Sequence, residues 1–247
     1  MTANLFFVEK ARLGGKDCVL EGSEHHHLGR VARLRPGEDV WLFDEEGGKV
    51  KARVEEVGPN RTRLNLGCRI APGASGPRVA LAQALLKSKA MDEVVSSAVE
   101  WGVAAVLPVQ AERSVVRLED GGSRKIERWR QVARAAAKQC KSGRLPEFEP
   151  PVRLAVFLAS ERPGGKVILT EHGGRPFKDV LAATPVPPDP GDEAWTLLVG
   201  PEGGFTAAEV DAAAAAGFEP VSLGSNILRA ETAALSAVAV LMHARSL

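Results

Sequence analysis

The chain has 247 residues, 45% of them hydrophobic and 26% charged, with 32 Lys and Arg against 31 Asp and Glu. These proportions exclude a disordered, collagen-like or supercharged protein, and they leave room for one large domain or two smaller ones. No apolar run reaches the roughly 18 to 20 residues that span a bilayer, and Glu9 and Lys10 fall where a signal peptide needs its apolar core, so a cytoplasmic protein is expected. Cys18, Cys68 and Cys140 are the three cysteines, with no Cys-x-x-Cys pair; a disulfide framework and a structural zinc are not expected. The absence of tyrosine and the 5% aromatic content argue against base recognition by an aromatic stacking sheet.

Near the N-terminus, Ser23 is read as the N-cap of a short helix that carries His25, His26, His27, Leu28 and Val31 and is closed by Pro36-Gly37. Three successive histidines point about 100° apart on a helix and cannot converge on one ion, so no metal is expected and the cluster is read as facing solvent or RNA. Residues 39–43, 49–57 and 62–70 alternate apolar and polar positions between the turn sequences at 44–48 and 58–61, which predicts consecutive antiparallel strands in a small β-barrel or sandwich. Ala71 to Pro77 is rich in Pro, Gly and small residues and reads as a linker, dividing the chain into domains 1–72 and 73–247.

Beyond the linker, apolar strands alternate with amphipathic helices. Strands are predicted at 79–86, 103–109, 167–170, 196–199 and 221–223. Helices are predicted over Met91–Val99 up to Gly102, and over 125–139, 177–183, 206–216 and 230–245. This order implies an α/β domain with a mostly parallel sheet covered on both faces. The last helix, with Ala233, Ala234, Leu235 and Ala237 to Met242, has almost no polar face; such a helix is buried on most sides, within the domain or in a homodimer. Pro185 to Glu193 reads as an exposed loop.

The near-zero net charge conceals an asymmetry. Between Arg113 and Pro146 there are ten basic residues and three acids, whereas between Glu171 and Leu223 there are two basic residues and nine acids. A polyanion would meet the basic segment first. There Arg130, Arg134 and Lys138 recur at helical spacing opposite Ile126, Trp129, Val132, Ala133 and Ala136, a row of cations suited to phosphates.

The sharpest motif is Leu198-Val-Gly-Pro-Glu-Gly-Gly204, a buried strand ending in a glycine-rich turn, followed by Thr206 and Glu209 at capping-box spacing. Gly200, Gly203 and Gly204 allow positive φ and close approach to a ligand, and the carboxyl end of a parallel strand is a common ligand site. The pattern is neither Gly-x-Gly-x-x-Gly nor a Walker loop. The design recurs at Leu223-Gly-Ser-Asn-Ile-Leu-Arg-Ala-Glu-Thr-Ala233, whose Arg229 and Glu231 would stand beside the first loop's glycines if the two strands are neighbours.

These paired motifs resemble the S-adenosylmethionine site of SPOUT-class RNA methyltransferases, and most closely the RsmE family of 16S rRNA (uracil-N3)-methyltransferases. The resemblance extends through His27-Leu-Gly-Arg-Val-Ala-Arg-Leu34 with Gly37, Met91-Asp92, Glu100-Trp-Gly-Val103, Glu112-Arg-Ser114, Gln139-Cys140 and Arg144-Leu-Pro146. Ser97, Trp101, Ser142 and Asn226 depart from the family pattern. The resemblance implies a PUA-like β-barrel, a SPOUT α/β domain with a trefoil knot, a homodimer, and S-adenosylmethionine-dependent methylation of uridine N3 in the small ribosomal subunit.

It places the cofactor on Leu198, Gly200, Pro201, Glu202, Gly203, Gly204, Leu223, Gly224, Ile227, Leu228, Thr232 and Ala233. RNA is expected on Arg30, Arg33, Arg113, Arg130, Arg134, Lys138 and Arg144. Arg229 is assigned electrostatic stabilisation of the uracil anion; a carboxylate or water accepts the N3 proton, with Glu231 read as that base or as an orienting partner. Cys140 is read as inert, since N3 methylation needs no covalent adduct. Two other readings share these features: a non-catalytic RNA-binding or ribosome-assembly factor, and a ribose 2′-O-methyltransferase of the same fold.

Overall fold

The computed structural model describes residues 4–70, 77–117, 122–185 and 194–245. Most of the linker at 71–77 and of the loop at 185–193 lies outside them. The chain folds as two compact units, Met1–Gly73 with Arg134–Leu145, and Ala74–Ala133 with Pro146–Leu247.

In the first unit, β1 (Leu5–Phe7), β2 (Asp17–Glu21), β3 (Asp39–Phe43), β4 (Lys49–Val57) and β5 (Arg61–Ile70) form one sheet in the order β1-β3-β4-β5-β2. The antiparallel register sets Val40 opposite Ala52, Leu42 opposite Val50, and Val54 opposite Leu64. Because side chains alternate across a strand, this register puts the apolar set of all three strands on one face. Those residues form a core with Phe6, Leu20 and Leu28. β1 joins β3 in parallel. The strand order is open, with β1 and β2 at its ends, so among the described residues backbone pairing does not complete the expected barrel.

The N-terminal helix departs from the expectation. α1 (Gly22–His26) begins one residue before Ser23, with Glu21 as N-cap and no side-chain cap bond, and a π-helical turn at His27–Val31 ends it well short of Pro36. Gly22, at φ +57°, turns the chain from β2 directly into the helix. Nor does the whole histidine cluster face solvent. His25 Nε2 donates to the Pro59 carbonyl (3.2 Å), which leaves Nδ1 to accept from the buried Thr62 hydroxyl (2.9 Å).

In the second unit, β6 (Arg78–Ala84), α2 (Ser88–Glu100), β7 (Ala105–Gln110), α3 (Gly122–Cys140), β8 (Glu147–Phe148), β9 (Val152–Arg153), α4 (Leu154–Leu158), β10 (Gly165–Leu169), β11 (Arg175–Pro176), α5 (Phe177–Ala183), β12 (Ala194–Val199), α6 (Ala207–Ala215), β13 (Glu219–Ser222) and α7 (Ala230–Arg245) follow in chain order. Residues from Arg134 onward in α3 belong to the first unit. The sheet is parallel throughout and runs β11-β13-β10-β12-β6-β7-β8, with β9 also on β7. The central strands are apolar on both faces, as a covered parallel sheet requires: Leu81, Ala82, Leu197 and Leu198 are fully buried.

α7 packs on α2, β6 and β12. Its buried Ala234, Ala237, Val238 and Leu241 explain the apolar character of the last helix, since small residues let it approach the sheet closely. The two motif strands β12 and β13 are not neighbours. β10 lies between them, which corrects the assumption that set Arg229 and Glu231 directly beside the first loop.

Candidate active site

β12 ends at Val199, and residues 200–204 reverse the chain through a turn in which Gly204 N donates to the Pro201 carbonyl (2.9 Å). Gly204 sits at φ +65°, a conformation that disfavours side chains, and a Cβ there would lie 2.9 Å from Glu171 Oε1. Gly200 and Gly203 are not at positive φ. The turn feeds α6 through the expected capping box: Thr206 Oγ1 accepts from Glu209 N (3.3 Å), and Glu209 Oε2 accepts from Thr206 N (2.9 Å).

Neighbouring segments hold this loop from three directions. Gln83, fully buried at the carboxyl end of β6, donates through Nε2 to the Gly200 carbonyl (3.2 Å). Glu202 accepts from Lys87 N (3.1 Å), not from its own loop. Arg113 Nη1 donates to the Gly203 carbonyl (3.0 Å), and Glu112 N donates to Glu209 Oε1 (2.7 Å). The second loop leaves β13 through Ser222, whose hydroxyl donates to the Gly224 carbonyl (2.9 Å) and accepts from Gly224 N (3.2 Å). Ile227 (63% exposed) and Leu228 then lead into α7.

A third wall comes from the end of β10, where Thr170 N and Oγ1 donate to the Val221 carbonyl (2.9 and 3.3 Å) and Glu171 and His172 follow. The three strand ends enclose a cavity of 480 Å³, a size that suits a nucleoside-sized ligand. Leu169, Val199, Phe205, Val210, Leu223, Ile227 and Leu228 line it with apolar surface. Among the described residues, Glu171, Glu202 and Asp211 line it together with the cation Arg113. Apolar walls with an excess of carboxylates fit S-adenosylmethionine, which joins a flat base to a positively charged sulfonium.

Of the cofactor residues expected from the sequence, Gly200, Pro201, Glu202, Gly204, Leu223, Gly224, Ile227, Leu228 and Ala233 line this cavity. Leu198 is instead buried inside β12, Gly203 lies under Arg113, and Thr232 is exposed. Arg229 is exposed between the lining residues Leu228 and Ala230, and Glu231 is half-buried; neither lines the cavity. Asn226, one of the departures from the family pattern, does line it. Sequence reasoning missed Leu169, Thr170, Glu171, His172 and Gln83. The signal was present, since 167–170 was read as a parallel strand and ligands gather at the carboxyl ends of such strands.

The residues expected to meet RNA separate into groups. Arg113 belongs to the cavity wall. Arg30 and Arg33 are exposed on the first unit, Arg33 at φ +53°. Arg144 is half-buried beside Gly47, and its N donates to the Ser142 hydroxyl (3.2 Å). The expected row of uncompensated cations on α3 is corrected. Arg130 is exposed, 3.8 Å from Glu127; the Arg134 guanidinium lies 4.4 Å over the Phe7 ring; Lys138 is ion-paired with Glu24 at 2.7 Å. The acid that pairs Lys138 is 114 residues away in sequence, so a count along the basic segment could not include it. Cys140 is half-buried, with its thiol 3.8 Å from the Ala137 carbonyl.

Among the described residues no group of three His, Cys, Asp or Glu is placed to hold a metal ion, and no helix is long and apolar enough to cross a membrane.

A family model described as an RNA methyltransferase domain matches residues 74–242, and one described as an RNA methyltransferase PUA domain matches residues 20–65. The chain is 32% identical to Ribosomal RNA small subunit methyltransferase E of Mycobacterium bovis over 250 aligned positions, covering 98% of this chain and 93% of the relative. A methyltransferase from Legionella pneumophila, solved with the cofactor SAM bound, superposes with a TM-score of 0.88 at 29% identity, covering 99% of this chain and 98% of the other. Ribosomal RNA small subunit methyltransferase E from Neisseria gonorrhoeae, bound to S-adenosyl methionine, superposes with a TM-score of 0.85 at 28% identity over 98% of each chain. With both domain models in order and similarity along nearly its whole length, the chain belongs to the Ribosomal RNA small subunit methyltransferase E family.

Proposed function

We propose that the protein transfers a methyl group from S-adenosylmethionine to N3 of a uridine in the 16S RNA of the small ribosomal subunit. The observation that carries this reading is the 480 Å³ cavity at the ends of β10, β12 and β13, built by the two loops whose sequences resemble a cofactor site. When bound there, the cofactor supplies an electrophilic methyl group on a sulfonium, so the transfer itself calls for no metal.

N3 of uracil is a weakly acidic imide, and its proton leaves as the N–C bond forms. A cation near O2 or O4 stabilises the anion that develops, and a carboxylate accepts the proton. Arg229 and Glu231 are assigned these roles. Arg229 is exposed between the lining residues Leu228 and Ala230, and Glu231 is half-buried in the first turn of α7, which supports assigning both to the RNA base and not to the cofactor. Leu223, Ile227 and Leu228 hold the adenine side of the cofactor, and residues 200–204 approach it with backbone.

Residues 1–72 act as the PUA-like RNA-binding domain and 73–247 as the SPOUT methyltransferase domain, threaded as a trefoil knot and active as a cytoplasmic homodimer. Arg30, Arg33, Arg130 and Arg144 carry the RNA phosphates, and binding weakens steeply with salt. The test is tritiated methyl transfer from S-adenosylmethionine to small subunits that lack their native methylations. Label is expected in 16S RNA, falling roughly hundredfold in Arg229→Ala. Cofactor and subunit binding without label would favour an RNA-binding role.

A further inference from the structure

The cavity contains a carboxylate that the sequence did not single out. Glu171 follows β10, the middle strand of the three whose ends enclose the cavity, with β12 and its loop on one side and β13 and its loop on the other. Its side chain lies against the one glycine of the first loop that sits at positive φ: a Cβ on Gly204 would stand 2.9 Å from Glu171 Oε1 and 3.4 Å from its Cδ. The side chain is exposed to the cavity, and among the described residues no hydrogen bond or ion pair occupies it. The other lining carboxylates are placed differently. Glu202 accepts from Lys87 N, and Asp211 belongs to α6, not to one of the three strand ends.

Resting on the cofactor reading above, we infer that Glu171 binds the ribose of the cofactor, its carboxylate accepting hydrogen bonds from the two vicinal hydroxyls. The ribose is the central part of S-adenosylmethionine, between the base and the sulfonium arm, and Glu171 follows the middle one of the three strands, with a motif loop leaving the strand on either side. A cis-diol presents two O–H donors on one side of the ring, and a carboxylate offers two oxygens that only accept. Gly204 leaves the space beside Glu171 that a side chain would close.

The test is calorimetric titration of S-adenosylhomocysteine, and of its 2′-deoxy and 3′-deoxy analogues, into the wild-type protein, Glu171→Gln and Glu171→Ala. The wild type should bind each deoxy analogue more weakly than the parent. Glu171→Ala should bind the parent roughly tenfold to hundredfold more weakly, the scale of hydrogen bonds to a charged group, and should lose nothing further with the analogues. Glu171→Gln, nearly isosteric at an exposed position, should fall between them and carries the test if the alanine variant does not fold.

Unchanged affinity in both variants would overturn the inference. So would a deoxy penalty of wild-type size in Glu171→Ala, or a loss seen with S-adenosylmethionine but not with S-adenosylhomocysteine, which would place the carboxylate on the sulfonium. A wild-type protein that binds neither ligand would overturn the cofactor reading itself and this inference with it. Normal wild-type binding beside unaltered variants overturns the inference alone.

Discussion

Glu209 does two jobs, and removing it should cost more than removing the cap it belongs to. Oε2 closes the capping box on Thr206 N (2.9 Å), while Oε1 accepts from Glu112 N (2.7 Å), 97 residues away. Thr206→Ala removes the hydroxyl that accepts from Glu209 N and donates to Glu209 Oε2 (both 3.3 Å), and loss of an N-cap side chain costs about 1 kcal/mol. Glu209→Ala loses the reciprocal half of the box and also the tether to Glu112, a further bond to a charged acceptor at a half-exposed site, for about 2 kcal/mol in total. At about 2–4 °C per kcal/mol for a chain of this size, Glu209→Ala should melt several degrees below wild type and detectably below Thr206→Ala. Arg113 follows Glu112 and holds the Gly203 carbonyl, so the same variant should loosen the glycine-rich loop at 200–204. Thermal melting ranks the two variants, and hydrogen exchange reads the Glu112 amide directly. If Glu209→Ala melts no lower than Thr206→Ala and the Glu112 amide exchanges at its wild-type rate, the tether contributes nothing and the reasoning is wrong.

Gly204→Ala should cost about 1–2 kcal/mol for placing a side chain at φ +65° and, by pressing on Glu171, weaken S-adenosylmethionine binding; unaltered calorimetric affinity would contradict this. The Arg53 and Lys51 partners of Asp39 hold its carboxyl at about 2, below its ordinary value of 3.8. That interaction therefore stabilises the fold fully above about pH 4 and is lost as pH falls through about 2. A carbon-detected titration should find the low midpoint in wild type and a higher one in Arg53→Ala. Burial pushes the Cys18 thiol up, against the pull of Arg12, so a thiol reagent should modify exposed Cys68 rapidly and Cys18 only on unfolding. A double-mutant cycle on the mostly buried Glu24 and Lys138 pair should return about 1–2 kcal/mol of coupling, where a value near zero would make the contact incidental.

The elements whose signals are local were legible in the sequence. Strands 39–43 and 49–57 and helices 177–183 and 230–245 coincide with β3, β4, α5 and α7, because alternation, turn residues and helical periodicity all act over a few positions. The Thr206 and Glu209 capping box was legible for the same reason. The three-residue β1 and the two-residue β8, β9 and β11 are too short to carry any periodic pattern. Sheet order was not legible either: that β10 stands between β12 and β13 is fixed by pairings such as Val167 with Leu197 and Val167 with Glu219, which no local pattern encodes. Most of the cavity followed from two glycine loops, yet its middle wall at 169–172 depended on that order. The pairing of Lys138 with Glu24 was likewise set by the fold, not by the charge run around Lys138.

Methyl transfer to uridine N3 is tested most directly by incubating the protein with S-adenosylmethionine and small ribosomal subunits lacking their native methylations, then digesting the 16S RNA and analysing its nucleosides by mass spectrometry. The expected result is a new 3-methyluridine peak that depends on the cofactor and is lost in Arg229→Ala. A 2′-O-methylated nucleoside in its place, or no new methylated nucleoside despite measured cofactor and subunit binding, would contradict the proposed reaction.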